Sequence, residues 1–179
     1  MENQTAKTTW VLDPSHSELL FTVKHLMISN VRGEFKDFHA EIDGEDFRTA
    51  TVSATIDSAS IFTNNSDRDQ HLKSADFFDV ENHPKMTFQS TAFTAIDDEN
   101  YSLTGFLTIK GVRKEISLQV EFGGINTDPW GNEKAGFSVR GKINRKDWGL
   151  NWNSTLETGG VLVSDEVKIT AEVQFAKQG

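Results

Sequence analysis

Apolar and polar residues alternate with a period of two through nearly the whole chain. No other feature constrains the fold as tightly, because successive side chains of an extended strand point to opposite faces. Eight segments carry the pattern: 17–25, 31–43, 50–57, 85–93, 101–110, 114–122, 135–143 and 166–175. In each, one face is apolar and one polar. Leu103, Leu107 and Ile109 oppose Ser102, Thr104 and Thr108, and Ile116, Leu118, Val120 and Phe122 oppose Ser117, Gln119 and Glu121. One-sided strands of this kind belong to antiparallel sheets with one wet face. Within 31–43 the phase slips, since Val31, Gly33 and Phe35 share a face and Phe38, Ala40 and Ile42 resume one position out of step. An inserted residue near Lys36 and Asp37, a β-bulge, restores the inward face and bends the strand, as a closing sheet requires.

These strands predict an all-β fold, an eight-stranded antiparallel up-and-down barrel, with closure removing the edges that an open sheet must protect. A two-sheet sandwich is the alternative. One stretch breaks the alternation at length, NNSDRDQHLKSADFFDVENHP over 64–84. Asn65 or Ser66 as cap, Asp67 and Asp69 in the first turn, and Leu72, Ala75 and Phe78 near helical spacing predict one short helix over about 66–75, covering part of the barrel. Residues 144–164 read as a long loop with at most one helical turn. A tail over 1–9 precedes a single domain over 10–176.

Composition excludes several classes of function. The chain has no cysteine, hence no disulfide, thiolate metal site or cysteine nucleophile. A net charge of -9 and the lack of a dense Lys/Arg cluster argue against a nucleic-acid partner. No apolar run approaches the roughly 18 residues of a spanning helix. The opening MENQTAKTTW has neither a basic n-region nor an apolar h-region, so the expected location is cytoplasmic. Thirteen Phe against one Tyr suit a dry interior better than a recognition surface.

An eight-stranded barrel is either filled by its side chains or just wide enough for one ligand. Large inward groups (Phe21, Phe35, Phe88, Leu107, Leu118, Phe137, Ile169) are interspersed with small ones at Gly33, Ala40, Ala54, Gly105, Gly141 and Ala171. This suits a filled, tapered interior and a cavity equally. Lys24, Arg32, Lys110, Arg140, Lys142 and Lys168 all fall on the polar face by parity. A cavity would therefore favour an uncharged guest, since an unpaired buried charge is costly.

The stretches WVLDPSHSELLFTVKHLMISNVRGEF, SIFTNNSDRDQHLKSADFFDVENHPKMTFQS, LTGFLTIKGVRKEISLQVEF, GFSVRGKINRKDWGLNW and DEVKITAEVQF, in this order and spacing, resemble the YceI family of bacterial polyisoprenoid-binding proteins. The resemblance spans nearly all of residues 10–176. It implies a lipocalin-like barrel around an apolar tunnel for an isoprenoid chain, such as a quinone or polyprenyl lipid, and often a homodimer. It also implies that Arg68 and Asp69 pin the helix to the barrel.

The polar constellations have plain readings. His16, in the Asp13-Pro14-Ser15-His16 turn, is expected to be hydrogen-bonded at a strand start, and His25 to point inward near one end. Asp67, Arg68, Asp69 and His71 form the most tempting metal or acid/base cluster, yet Asp67 and His71 are also an ordinary i, i+4 surface pair. A metal site would need a third ligand such as His39 or His83. Lys110-Gly111 reads as a tight hairpin turn. Trp148 and Trp152 could plug a barrel end or contact a guest. The sequence thus predicts a non-enzymatic carrier with no resident metal or cofactor. The residues expected to touch its isoprenoid lipid are Leu19, Phe21, Val23, His25, Phe35, Phe88, Leu107, Leu118, Phe137 and Ile169. Two alternatives remain: an enzyme using His16, Asp69 and His71 at the mouth, and a filled barrel acting through its surface in a stress response.

Overall fold

The computed structural model describes residues 8–153 and 163–178. Its strands are β1 (Thr9–Leu12), β2 (Glu18–His25), β3 (Ser29–Phe35), β4 (Phe38–Asp43), β5 (Thr51–Asp57), β6 (Ile61–Phe62), β7 (Lys85–Ala95), β8 (Asn100–Ile109), β9 (Val112–Thr127), β10 (Glu133–Asn144) and β11 (Glu166–Gln178), with one helix, α1 (Ser66–Lys73). Pairing is antiparallel throughout. The ring runs β1-β4-β5-β7-β8-β9-β10-β11 and closes where Leu12 pairs with Phe175.

The remaining three strands continue members of the ring past a bend. β1 and β2 both pair with β11, at its two ends, and are separated by a 3-10 turn at Pro14–His16. β3 and β4 are separated at Lys36 and Asp37, the position the phase slip predicted. β5 and β6 are separated by a turn at Ser58–Ser60, for which Asp57 caps the Ala59 amide. The second and third bends abut, with Lys36 N donating to Ser60 O and Asp57 N to Asp37 O. The wall is thus an eight-stranded up-and-down barrel whose neighbours follow chain order. Each of the eight alternating segments lies on this wall. The fifth and sixth full strands, β8 and β9, meet in a two-residue turn. There Lys110 and Gly111 take φ of 52° and 75° between paired Ile109 and Val112, the left-handed geometry that suits the twist of a hairpin.

Thr9 belongs to β1, so the barrel begins one residue earlier than the expected tail boundary, and residues 1–7 of that tail lie outside the described ones. The helix ends at Lys73 rather than near residue 75. Ser74 N donates to His71 O and the chain reverses, with Phe78 N donating to Leu72 O. The reversal buries Phe77 and sets Phe78 edge-on to Phe35, leaving Ala75 exposed. Asn65 is the N-cap, accepting from Arg68 N at 3.0 Å. The long loop does contain one helical turn, Arg145–Trp148, and its residues 154–162 are not among those described.

The barrel has two unlike ends. At one, the 44–50 loop drops Phe47 into the opening. Its ring stands 5.4 Å from Trp10, 5.6 Å from Phe122 and 5.3 Å from Phe137. Ile42, Val120, Ala135 and Phe175 are buried around this plug. The other end carries α1, the β2–β3 connection and the segments on either side of 154–162. Among the described residues no helix is long and apolar enough to cross a membrane.

Candidate functional site

The barrel is hollow. A cavity of about 690 Å³ runs from the Phe47 plug to the helix end. β11 alone contributes Val167, Ile169, Ala171, Val173 and Phe175 to its wall, an inward row that extends roughly 26 Å at the rise of a strand. The ten residues singled out from the sequence all line it. Leu19, Phe21, Val23 and His25 come from β2, Phe35 from β3, Phe88 from β7, Leu107 from β8, Leu118 from β9, Phe137 from β10 and Ile169 from β11.

The burial of these residues shows where the hollow opens. Phe88, Leu107 and Phe137 are buried, whereas Leu19, Phe21, Val23, Leu118 and Ile169 are only half-buried although they point inward. Side chains on the axis of a filled barrel would be dry. Half-exposure here marks an unfilled space toward the helix end, along the wall of β2, β11, β10 and β9.

The inward glycines act indirectly. Gly33, Gly105 and Gly141 are not themselves part of the cavity lining. A side chain on Gly33 would meet the Phe21 ring, one on Gly105 the Phe88 ring and Gln89 O, and one on Gly141 Leu118 Cδ2. The glycines are seats over which large cross-strand neighbours lie flat. The room comes from Ala40, Ala54 and Ala171, which do line the hollow.

Polarity is segregated. The polar residues of the lining are Lys24, whose side chain faces outward, and His25, Thr63, Asn65, Asp67, Arg68, His71 and Arg145, and all belong to the helix end. Most of the inward polar heads are already engaged. Asp69 is buried and accepts from Thr63 N at 2.8 Å and Thr63 Oγ1 at 2.5 Å, and Arg68 donates to Thr63 Oγ1 and Thr63 O at 2.8 and 2.7 Å. The pair meets through Thr63, so the helix is indeed pinned to the β6 edge.

Arg68 thus donates to Thr63 rather than to its acidic neighbours Asp67 and Asp69. Nor does Asp67 pair with His71. His71 Nε2 lies 3.0 Å from Asp76 Oδ2, and the imidazole stands edge-on to Trp152 at 4.6 Å. His39 pairs with Glu41 at 3.2 Å. Among the described residues no three of His, Asp and Glu converge on a metal-sized point.

His16 is exposed at the β1–β2 bend, where Nδ1 is 3.0 Å from Asp13 Oδ2, and the adjoining Ser17 hydroxyl contacts Gln174 O. It lies outside the cavity, well along β11 from the rim that holds Asp69 and His71, so the three do not form one site. Asp13 also takes Ser15 Oγ at 2.6 Å and Lys134 Nζ at 3.0 Å. The Ser15 hydroxyl first, then His16 and Lys134, hold its carboxyl well below the usual carboxylate range.

Two contributors, Arg145 and Phe47, escaped the sequence reading. Arg145 is 3% exposed and donates to the carbonyls of Ser164, Leu150, Trp152 and Val163, with Asp165 at 3.8 Å. Burial pushes its guanidinium down from the ordinary value. Parity could have found it, since Arg145 continues the inward series Val139, Gly141, Ile143. Phe47, a single aromatic within GEDFRTA, was a second available signal. Trp152 lines the hollow and Trp148 does not. The latter is 2% exposed, donates Nε1–H to Leu107 O at 2.9 Å and closes the wall beside β8.

This architecture recurs in known proteins. A UPF0312 protein of Staphylococcus aureus (strain N315) is 42% identical over 172 residues, covering 94% of this chain and 98% of that protein. A UPF0312 protein of Staphylococcus epidermidis is 43% identical with the same coverage. Among solved structures, the Campylobacter jejuni YceI protein is 40% identical with a TM-score of 0.75, covering 87% of this chain and 90% of its own. BcnA of Burkholderia cenocepacia shares the fold at 24% identity, TM-score 0.79, over 91% of this chain and 98% of its own. A domain of Saccharophagus degradans described as polyisoprenoid-binding shares it at 14% identity, TM-score 0.71, over 94% and 98%. The YceI-like domain model matches residues 10–175, and the chain belongs to that family.

Proposed function

We propose that this protein carries a long, uncharged isoprenoid-type lipid, a quinone or polyprenyl chain, with the tail against the Phe47 plug and the head at the helix end. The observation that carries the reading is the segregated cavity. It is elongated and apolar from Ile42 and Phe93 through Leu107 and Ile169, with polar heads only at one rim. Its volume of about 690 Å³ falls within the range usual for small-molecule sites. Burial of hydrocarbon there removes apolar surface from water without directional demands, so tunnel length and the rim set selectivity. The ten lining residues named above supply the burial, and His25 is the rim group placed to meet a carbonyl or hydroxyl head. The name of the Saccharophagus degradans neighbour supports the same ligand class.

Protein purified from its native host, extracted into organic solvent and analysed by mass spectrometry, should yield a stoichiometric isoprenoid. The purified chain should also take up prenyl quinones from detergent solution. Extracts without isoprenoid, together with no uptake across prenyl chain lengths, would overturn the reading.

A further inference from the structure

We propose that the tip of the β2–β3 hairpin, Leu26, Met27 and Ile28, docks this protein onto an anionic lipid bilayer and brings the polar rim of the cavity to the membrane. The inference rests on the carrier reading above, because a lipid cargo must be exchanged with a bilayer. The three residues are 39%, 59% and 85% exposed. They follow directly on His25, which lines the cavity and bridges to Val163 at its rim.

The turn chemistry is unusual for a simple reversal. Ile28 N donates to His25 O at 3.2 Å, and Leu26 and Met27 sit at φ of 53° and 63°. Those positions are filled with least strain by Asn and Gly. Here the chain carries large apolar groups that are strained and wet at once, a combination that marks a surface meant to be covered.

Charge identifies the cover. On the outer wall behind the tip, Lys142, Lys168, Thr22 and Arg32 are register neighbours across β10, β11, β2 and β3, and Lys24 stands one outward position closer to the tip. Lys142 is 3.7 Å from Glu166, whereas Lys24, Arg32 and Lys168 have no acidic partner among the described residues. The plugged end is the reverse. Its loops 44–50, 96–99 and 128–132 carry Glu45, Asp46, Asp97, Asp98, Glu99 and Asp128 against Arg48 alone. The cations thus form a local basic patch on the wall behind the tip, distinct from the acidic helix segment with Asp67, Asp69, Asp76 and Asp79, and this patch draws the apolar tip toward a negative surface that the acidic plugged end would repel. Apolar side chains flanked by cations are the elements of an interfacial anchor. A second copy is the poorer cover, since a two-fold contact would set two cation rows against each other.

Sedimentation of the full chain with extruded vesicles tests this, using phosphatidylcholine alone or mixed with phosphatidylglycerol. The chain should bind the phosphatidylglycerol vesicles at low salt and release at high salt. Met27→Asp and Ile28→Asp should each weaken binding by about tenfold or more, and Arg32→Glu with Lys168→Glu should remove the preference for phosphatidylglycerol. Trp130→Asp, at an 83% exposed apolar residue of the opposite end, should bind as the parent does. No vesicle binding, loss shared equally by Trp130→Asp, or a dimer that Ile28→Asp splits would each overturn the proposal. Uptake of a prenyl quinone from detergent micelles, measured in parallel, separates the two readings. Uptake without vesicle binding removes the docking surface alone, and tip-dependent vesicle binding without uptake removes the carrier reading alone.

Discussion

Phe21 lies across Gly33, its directly paired neighbour between β2 and β3, with the ring where a side chain on Gly33 would stand. The methyl of Thr63 closes the same space from the helix side. Gly33→Ala must therefore push Phe21 toward the axis, an overpacking change that typically costs about 1–3 kcal/mol. Urea unfolding should show that loss, and prenyl quinone uptake should weaken because the displaced ring enters the hollow. Unchanged stability with unchanged uptake would contradict this account of the glycine seats.

Arg145 holds four carbonyls with one buried side chain, gathering Leu150 and Trp152 on one side of residues 154–162 and Val163 and Ser164 on the other. Arg145→Met leaves those acceptors without their donor, and a destabilisation of about 1–3 kcal/mol or more is expected. Arg145→Lys should recover only part of it, because an ammonium cannot reproduce a planar fork of donors. Chemical denaturation of the two variants checks both statements.

Asp13 ties the β1–β2 bend to Lys134 of β10. Its folded carboxyl titrates below the ordinary range, chiefly through the Ser15 hydroxyl. Its contribution is thus fully present above the unfolded value near 3.9 and is lost as pH falls through the folded one. Asp13→Asn should be less stable than the parent by about 1–3 kcal/mol at neutral pH. That gap should narrow steadily below about pH 4. Thermal melts across an acid pH series measure the narrowing, and a gap independent of pH would refute it.

Asp69 and His71 lie two residues apart on α1 and should respond differently. Asp69→Ala strands the buried Thr63 amide and hydroxyl and should cost about 1–3 kcal/mol. His71→Ala loses a half-exposed contact with Asp76 and the edge of Trp152, and should fall within about 1 kcal/mol of the parent. Equilibrium unfolding of both variants distinguishes a pinned helix from a catalytic pair, in which neither substitution would change stability.

The fold was legible in the sequence because its information is local. Strand parity needs only neighbouring residues, and the slip at Lys36 and Asp37 showed even the bend. The inward residues of the site followed from the same parity. What parity could not give was depth. Whether Gly33 opens space or merely seats Phe21 depends on a residue of the adjacent strand, and hollow versus filled depends on all the strands together. Phe47 is missed because it comes from a connection, where no period constrains direction, and Arg145 because the inward parity of β10 runs on past Ile143 into the loop. Trp148 and Trp152 are both candidates in the sequence, and only the folded loop separates the wall-closing one from the lining one. His16, Asp69 and His71 looked like one constellation because they are chemically alike, whereas the barrel's length separates the first from the other two.

Ala171 offers the sharpest test of whether the hollow itself matters. It sits mid-strand on β11, paired with Leu19 and Val139, and its methyl faces the cavity. Ala171→Phe places a ring in empty space rather than in packed core, so the overpacking penalty that Gly33→Ala incurs should be absent. Filling a cavity commonly adds about 0.5–2 kcal/mol, and the lipid-free variant should melt at or above the parent's temperature. Prenyl quinone uptake should fall sharply in the same protein, because the ring divides the tunnel. Thr170→Phe, one residue away on the outer face, should leave uptake intact. A variant that folds stably and still carries the full lipid load would mean that the guest does not occupy the barrel axis.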